Sequence, residues 1–148
     1  MNKLDLSSKR CGDILLIELY PLINSSNKII TLILDDNKLR DLSLLGKMPL
    51  YYLKNLDLSL NLITNIKFLK NLSNTSKLES LYLNDNKINN ITPFLNDKGM
   101  IKAEKLQILT LKNNCLDIME EETRDVFKKL FEIEDITLDY KKEEVGLK

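Results

Sequence analysis

The side chains best able to do chemistry are few and scattered. Two cysteines, Cys11 and Cys115, could supply thiolates, and the adjacent carboxylates Asp35 and Asp36 could hold a cation. Neither pair has the company its chemistry needs. The sequence contains no histidine, so no imidazole is present to ligate a metal or to deprotonate a thiol. The two carboxylates belong to no loop of regularly spaced oxygen ligands. The four glycines, Gly12, Gly46, Gly99 and Gly146, are too dispersed to form a phosphate-cradling loop. The expectation is therefore no catalytic residue, no metal and no cofactor.

Composition narrows the partners. The 22 basic and 22 acidic residues cancel, so no net field draws the chain toward nucleic acid or a membrane surface. The 148 residues suffice for one domain with a sizeable core. The N-terminal stretch MNKLDLSSKRCGD has no apolar run behind positive charge, and no eighteen consecutive apolar residues occur anywhere. Cytoplasm or nucleus is the expected location, and a monomer the expected state.

What the sequence does contain is a repeated spacing. Ile29, Leu32, Leu34, Asn37 and Leu39 stand at intervals of three, two, three and two. Leu53, Leu56, Leu58, Asn61 and Ile63 repeat them, as do Leu78, Leu81, Leu83, Asn86 and Ile88. Leu106, Leu109, Leu111, Asn114 and Leu116 make the fourth copy. The asparagines Asn37, Asn61, Asn86 and Asn114 are 24, 25 and 28 residues apart. A fixed period of this length marks stacked units that cannot bury their apolar faces alone. Degenerate copies flank the four. Met1, Leu4, Leu6, Lys9 and Cys11 precede them, and Ile133, Ile136, Leu138 and Lys141 follow, with lysine in the asparagine place both times.

Each copy has a physical reading. Leu-x-Leu alternates as a strand does, so Leu81 and Leu83 point inward while Ser80, Tyr82 and Asn84 point outward. The chain must then turn, and amides in that turn are covered by the next coil. A carboxamide both donates and accepts, so a ladder of asparagines could satisfy its own turn and its neighbour's. Apolar steps of three follow Asn37, Asn61 and Asn86, as in Ile63, Ile66 and Leu69, which suits short 3₁₀ turns. The segment CGDILLIELYPLI predicts a helix ending near Pro21, and residues 96–105 a surface bulge.

After the last asparagine the pattern changes to helix, then strand. Asp117 is the expected N-cap, and Met119, Val126, Phe127 and Leu130 form the expected apolar stripe. Cys11, in the place held elsewhere by Leu39, Ile63, Ile88 and Leu116, is expected to be a small core hydrophobe. Four repeat steps of about 4.8 Å separate the two cysteines, roughly 20 Å in all, so no disulfide is expected.

The repeat resembles the leucine-rich-repeat family. The resemblance implies an α/β fold, a right-handed solenoid forming a short horseshoe. Its concave side would be a parallel sheet of about six strands and its convex side 3₁₀ and helical turns. The short connectors resemble those of the leucine-rich regulatory subunit of protein phosphatase 1. Arg124, Val126, Phe127, Leu138 and Asp139 resemble the C-terminal cap of acidic nuclear phosphoproteins and the A-prime spliceosomal protein. Thr123, Glu132 and Tyr140 depart from that cap's usual tyrosine, proline and glycine. On this reading residues 1–148 are a single domain: 1–28 the degenerate N-terminal repeat, 29–116 four regular repeats, 117–148 the cap.

The outward strand residues are the candidate site. Ile33, Asp57, Tyr82 and Thr110 form a central column, and Asp35, Asp36, Leu60, Asn84 and Asp85 lie toward the strand exits. Thr137 and Asp5 extend the central column at its two ends. Among the middle units Asp35, Asp36, Asp57, Glu79 and Asp85 face Lys54 alone, a net charge of −4 on one face of a neutral chain. Acids around Ile33, Leu60 and Tyr82 suit a basic, partly apolar segment of another protein. The expected function is thus a non-catalytic adaptor or regulatory subunit, with no direct nucleic-acid contact. The alternatives are a component of a nuclear ribonucleoprotein or phosphatase complex, a capping fragment of a longer array, and binding through the convex side or the 96–105 bulge.

Overall fold

The computed structural model describes residues 2–73 and 75–148; Met1, the first inward place of the degenerate repeat, lies outside them. Six short strands among the described residues pair in chain order into one parallel sheet. They are β1 (Lys3–Asp5), β2 (Thr31–Ile33), β3 (Asn55–Asp57), β4 (Ser80–Tyr82), β5 (Ile108–Thr110) and β6 (Thr137–Leu138). Parallel neighbours require a crossover between strands, and here each crossover is one turn of the solenoid. Equivalent residues of successive copies face one another, so Leu4, Leu32, Leu56, Leu81 and Leu109 fall in one row.

The inward rows make the core. Leu32, Leu34, Leu56, Leu58, Leu81, Leu83, Leu109 and Leu111 are all completely buried. Burying each contributes about 1.5–3 kcal/mol, and Leu81→Ala would cost about 2–5 kcal/mol, because neighbours on both sides cannot collapse into the hole. The convex side carries 3₁₀ turns at Ser43–Lys47, Lys67–Lys70 and Thr92–Phe94. Their inward residues, Leu45, Leu69 and Phe94, complete each core slice.

Within residues 96–105 the first part forms a braced surface hairpin, closed at Ile101, while Ala103 is buried. Leu95 bridges to Ile101, and the Asn96 side chain accepts the N–H groups of Lys98 (2.9 Å) and Met100 (3.0 Å).

Four expectations need correction. The first connector is helical only over α1 (Ile14–Leu19), followed by a 3₁₀ turn at Tyr20–Leu22 with Pro21 in its first turn. Cys11 is exposed, not a core residue. Its coil carries the edge strand β1, so among the described residues the place that Leu39 fills between two coils has a neighbouring coil on one side.

The C-terminal helix, α2 (Glu121–Phe131), starts later than expected. Asp117 accepts the Met119 N–H at 3.0 Å in a tight turn, Glu120 occupies the N-cap position, and Met119 is 78 % exposed. The buried stripe is Thr123, Val126, Phe127 and Leu130, one face at helical spacing. Glu121 and Glu122 in the first turn and Lys128 and Lys129 in the last complement the helix dipole.

The last strand is two residues out of the expected register. Thr137 pairs with Ile108 and Leu138 with Leu109, so Thr137 leaves the central column. The Asp139 carboxylate explains the shift: it accepts the N–H groups of Leu111 (2.8 Å) and Lys112 (2.7 Å), ending the ladder. Tyr140 then packs edge-on against Phe127, ring centres 5.0 Å apart, beneath the Lys112 ammonium.

Candidate functional site: the concave face

The turn after each strand positions the site, and asparagine carboxamides organise it. Asn61 Nδ2 donates to the carbonyls of Leu34, Leu58 and Ser59, each at 3.0 Å. Its Oδ1 accepts the N–H groups of Asn37 and Leu39 in the preceding coil, both at 3.0 Å. Asn37, Asn86 and Asn114 likewise each donate to carbonyls in their own coil and in the coil before. Asn37 accepts the N–H groups of Lys9 and Arg10, Asn86 that of Ile63, and Asn114 that of Ile88.

The residue before each asparagine adopts left-handed backbone: Asp36 at φ 54°, Leu60 at 56°, Asp85 at 61° and Asn113 at 59°. Aspartate and asparagine enter this region readily, but leucine pays for the clash of its Cβ with the following carbonyl. Leu60 is nonetheless 53 % exposed, so burial does not compensate the strain.

Register brings Ile33, Asp57 and Tyr82 side by side on β2, β3 and β4. With Thr31, Asn55 and Ser80 they line a shallow depression of about 190 Å³. Thr31 and Asn55 were not singled out from sequence, and Ser80 was read as outward-facing but not as a site residue. Their signal was available: they are the outward places two residues before the central column. Larger hollows, of about 640 and 510 Å³, flank α2 instead. A depression this small suits a partner spread across the sheet better than an engulfed small molecule.

The acids divide by partner. Asp36 pairs with Arg10 at 3.3 Å and Glu79 with Lys54 at 3.6 Å. Arg10 is a contributor that sequence reading missed, brought there by the reversal of the first coil. Asp85 accepts from Asn84 Nδ2 (2.7 Å) and Asn113 Nδ2 (3.0 Å), while Thr110 Oγ1 donates to Asn84 Oδ1 (2.6 Å). Asp57 accepts the Ser59 N–H (3.0 Å) and hydroxyl (2.7 Å). Asp5, Asp35, Asp57 and Asp85 have no ion-pair partner among the described residues.

Asp35 is the unsatisfied member. Its Oδ1 is shielded from solvent and has no hydrogen-bond partner among the described residues. Burial, then the neighbouring charge of Asp57, followed by Asp5 and Asp36, holds its carboxyl above the ordinary value of 3.8. Asp5 is pushed the other way by hydrogen bonds from the Ser7 hydroxyl and amide. Glu79, at the strand-entry end, lines a different hollow with Glu104, Lys105 and Gln107, apart from the Ile33–Tyr82 depression. Among the described residues no group of three or more acidic or cysteine side chains is arranged to hold a metal ion.

Solved structures share this architecture. Internalin C2 of Listeria monocytogenes superposes with a TM-score of 0.65 at 27 % identity, over 93 % of this chain and 51 % of its own. The fold is a leucine-rich-repeat solenoid. A second Listeria monocytogenes internalin, InlF, matches over 77 % of this chain and 35 % of its own, with a TM-score of 0.58 and 22 % identity. A leucine-rich-repeat protein of Leptospira interrogans matches over 76 % and 26 %, with a TM-score of 0.57 and 23 % identity. The solenoid described here thus spans between about a quarter and a half of these structures. No protein-family model matches the sequence, and no curated protein does. No helix among the described residues is long and apolar enough to cross a membrane.

Proposed function

We propose that this solenoid is a non-catalytic protein-interaction module, an adaptor or regulatory subunit. On this reading its concave face grips a basic, partly apolar segment of another protein. The observation that carries the reading is the Ile33–Asp57–Tyr82 row, an apolar and aromatic pair around an acid, bordered by the shielded Asp35 carboxylate. A lysine or arginine laid along the row would give Asp35 and Asp57 the counter-charge they lack, while Tyr82 and Ile33 supply anchoring area. Leu60, 53 % exposed beside that row, adds apolar area to the same reading.

The same acids disfavour a nucleic-acid backbone, whose phosphates they would repel. Two free, exposed cysteines suit a reducing compartment, cytoplasm or nucleus. The short 3₁₀ connectors favour the phosphatase-regulatory subclass, and α2 followed by β6 favours the C-terminal cap of the nuclear phosphoprotein type.

Affinity capture from native lysate tests the reading. Tyr82→Ala combined with Asp57→Lys abolishes capture of the partner while leaving the circular dichroism spectrum unchanged. Capture that survives both substitutions refutes a concave site.

A further inference from the structure

We infer that a groove between the 96–105 hairpin and the end of α2 is a second docking site, for a peptide segment carrying an apolar side chain flanked by lysine or arginine. The groove holds about 510 Å³, room for one or two bulky side chains. Its apolar wall is Met100, Ile101 and Ile133. Its rim carries Glu104, Glu132 and Glu134, all exposed and without an ion pair or hydrogen bond from another described side chain.

The one cation in the wall is already engaged. Lys129 donates to the Gly99 carbonyl at 2.7 Å and pairs with Asp125 at 3.0 Å. That lysine fastens hairpin to helix, and the three glutamates keep no ion pair among the described residues, Lys105 lining the adjoining hollow beside Glu104 and Glu134.

The hairpin is built to hold this shape. Asn96 N–H donates to the Met100 carbonyl at 2.7 Å, and Lys102 N–H to the Phe94 carbonyl at 2.9 Å. Lys102 Nζ reaches the Lys70 carbonyl at 2.9 Å, tying the hairpin to the coil before. So ordered a loop has met its entropic cost before any partner arrives, yet it leaves Met100 61 % exposed. A methionine adapts to differently shaped apolar groups, which suits it to a docking wall.

Charge decides the class of occupant. An anionic lipid surface or a nucleic acid would meet three glutamates and be repelled. A basic peptide would be steered in and would neutralise them. The groove shares none of its lining with the Ile33–Tyr82 depression, so this inference and the concave-face reading fail separately.

The probe is a synthetic dodecapeptide with two leucines among lysines and arginines, titrated into the full 148-residue chain and followed by methyl-region NMR. Shifts gather on the Met100, Ile101 and Ile133 methyls, with a dissociation constant below about 1 mM. Glu132→Lys with Glu134→Lys weakens binding at least about tenfold, Met100→Ala weakens it too, and Tyr82→Ala does not. These side chains outside the core leave the melting temperature unchanged. The inference is overturned if the methyls of Met100, Ile101 and Ile133 stay unshifted, whether or not those of Ile33 move. Equal binding there of a glutamate-substituted peptide overturns it, as does no saturation of their shifts up to that concentration. It is overturned also if the same methyls shift when the protein is concentrated alone, which would assign the groove to a second copy.

Discussion

The carboxamide of Asn61 reaches across the coil boundary and accepts the backbone N–H of Asn37 at 3.0 Å. The two residues are sequence-equivalent, 24 apart, so one ladder asparagine caps the turn that holds the previous one. Asn61→Ala removes five hydrogen bonds at once and strands buried amides and carbonyls. It costs at least about 1–3 kcal/mol, read as a lower midpoint in thermal or urea unfolding. Asn114→Ala costs less, because Asn114 is only half-buried and water replaces part of what is lost.

Leu60 sets stability against binding. Leu60→Asn relieves a left-handed leucine and raises stability by about 1 kcal/mol, seen in denaturant unfolding. The same change removes an exposed apolar contact from the concave rim and lowers partner capture. A variant that gains stability and keeps full capture places Leu60 outside the interface.

Asp35 makes stability depend on pH in an unusual direction. Its folded-state pKa is raised, so the folded chain binds its proton before the unfolded chain does. Stability therefore improves as pH falls from the raised value toward 3.8, and the penalty is fully present above it. Asp35→Asn melts higher than the parent protein at neutral pH, and the gap closes on acidification. Asp41 has the opposite sign. Bonds from the Ser43 amide and hydroxyl hold its pKa down, so its contribution is present above the ordinary value and lost as pH falls through the lowered one.

Asp139 fastens the last strand. Asp139→Ala frees the Leu111 and Lys112 amides, whose hydrogen exchange accelerates while that of Leu58 and Leu83 stays slow. Because α2 leans on the same corner through Phe127 and Tyr140, the variant loses about 1–3 kcal/mol.

Both cysteines are free and exposed, so two thiols react with a disulfide reagent in the native protein without denaturant. Replacing both with serine shifts stability by no more than about 0.5 kcal/mol, as expected at surface positions.

The spacing of leucines and asparagines by itself determined the solenoid, because both signals are local. Alternation assigns the inward rows within one copy, and a carboxamide at a covered turn has few other uses. Equal spacing then places Leu56 beside Leu81 and Asp57 beside Tyr82 without further information. What sequence could not decide lies where a copy lacks a neighbour or departs from the pattern. Cys11 occupies a core place in the repeat, yet only a coil stacked over it would have buried it. Asp139 shifted β6 by two residues because two amides at the open end of the ladder needed an acceptor, a demand that exists only once β5 is formed. Arg10 reached Asp36, and Met100 joined Ile133, through contacts between segments more than twenty residues apart. The repeat spacing showed an acidic face on a neutral chain; only the packed coils decided which of its carboxylates found a partner and which, like Asp35, were left without one.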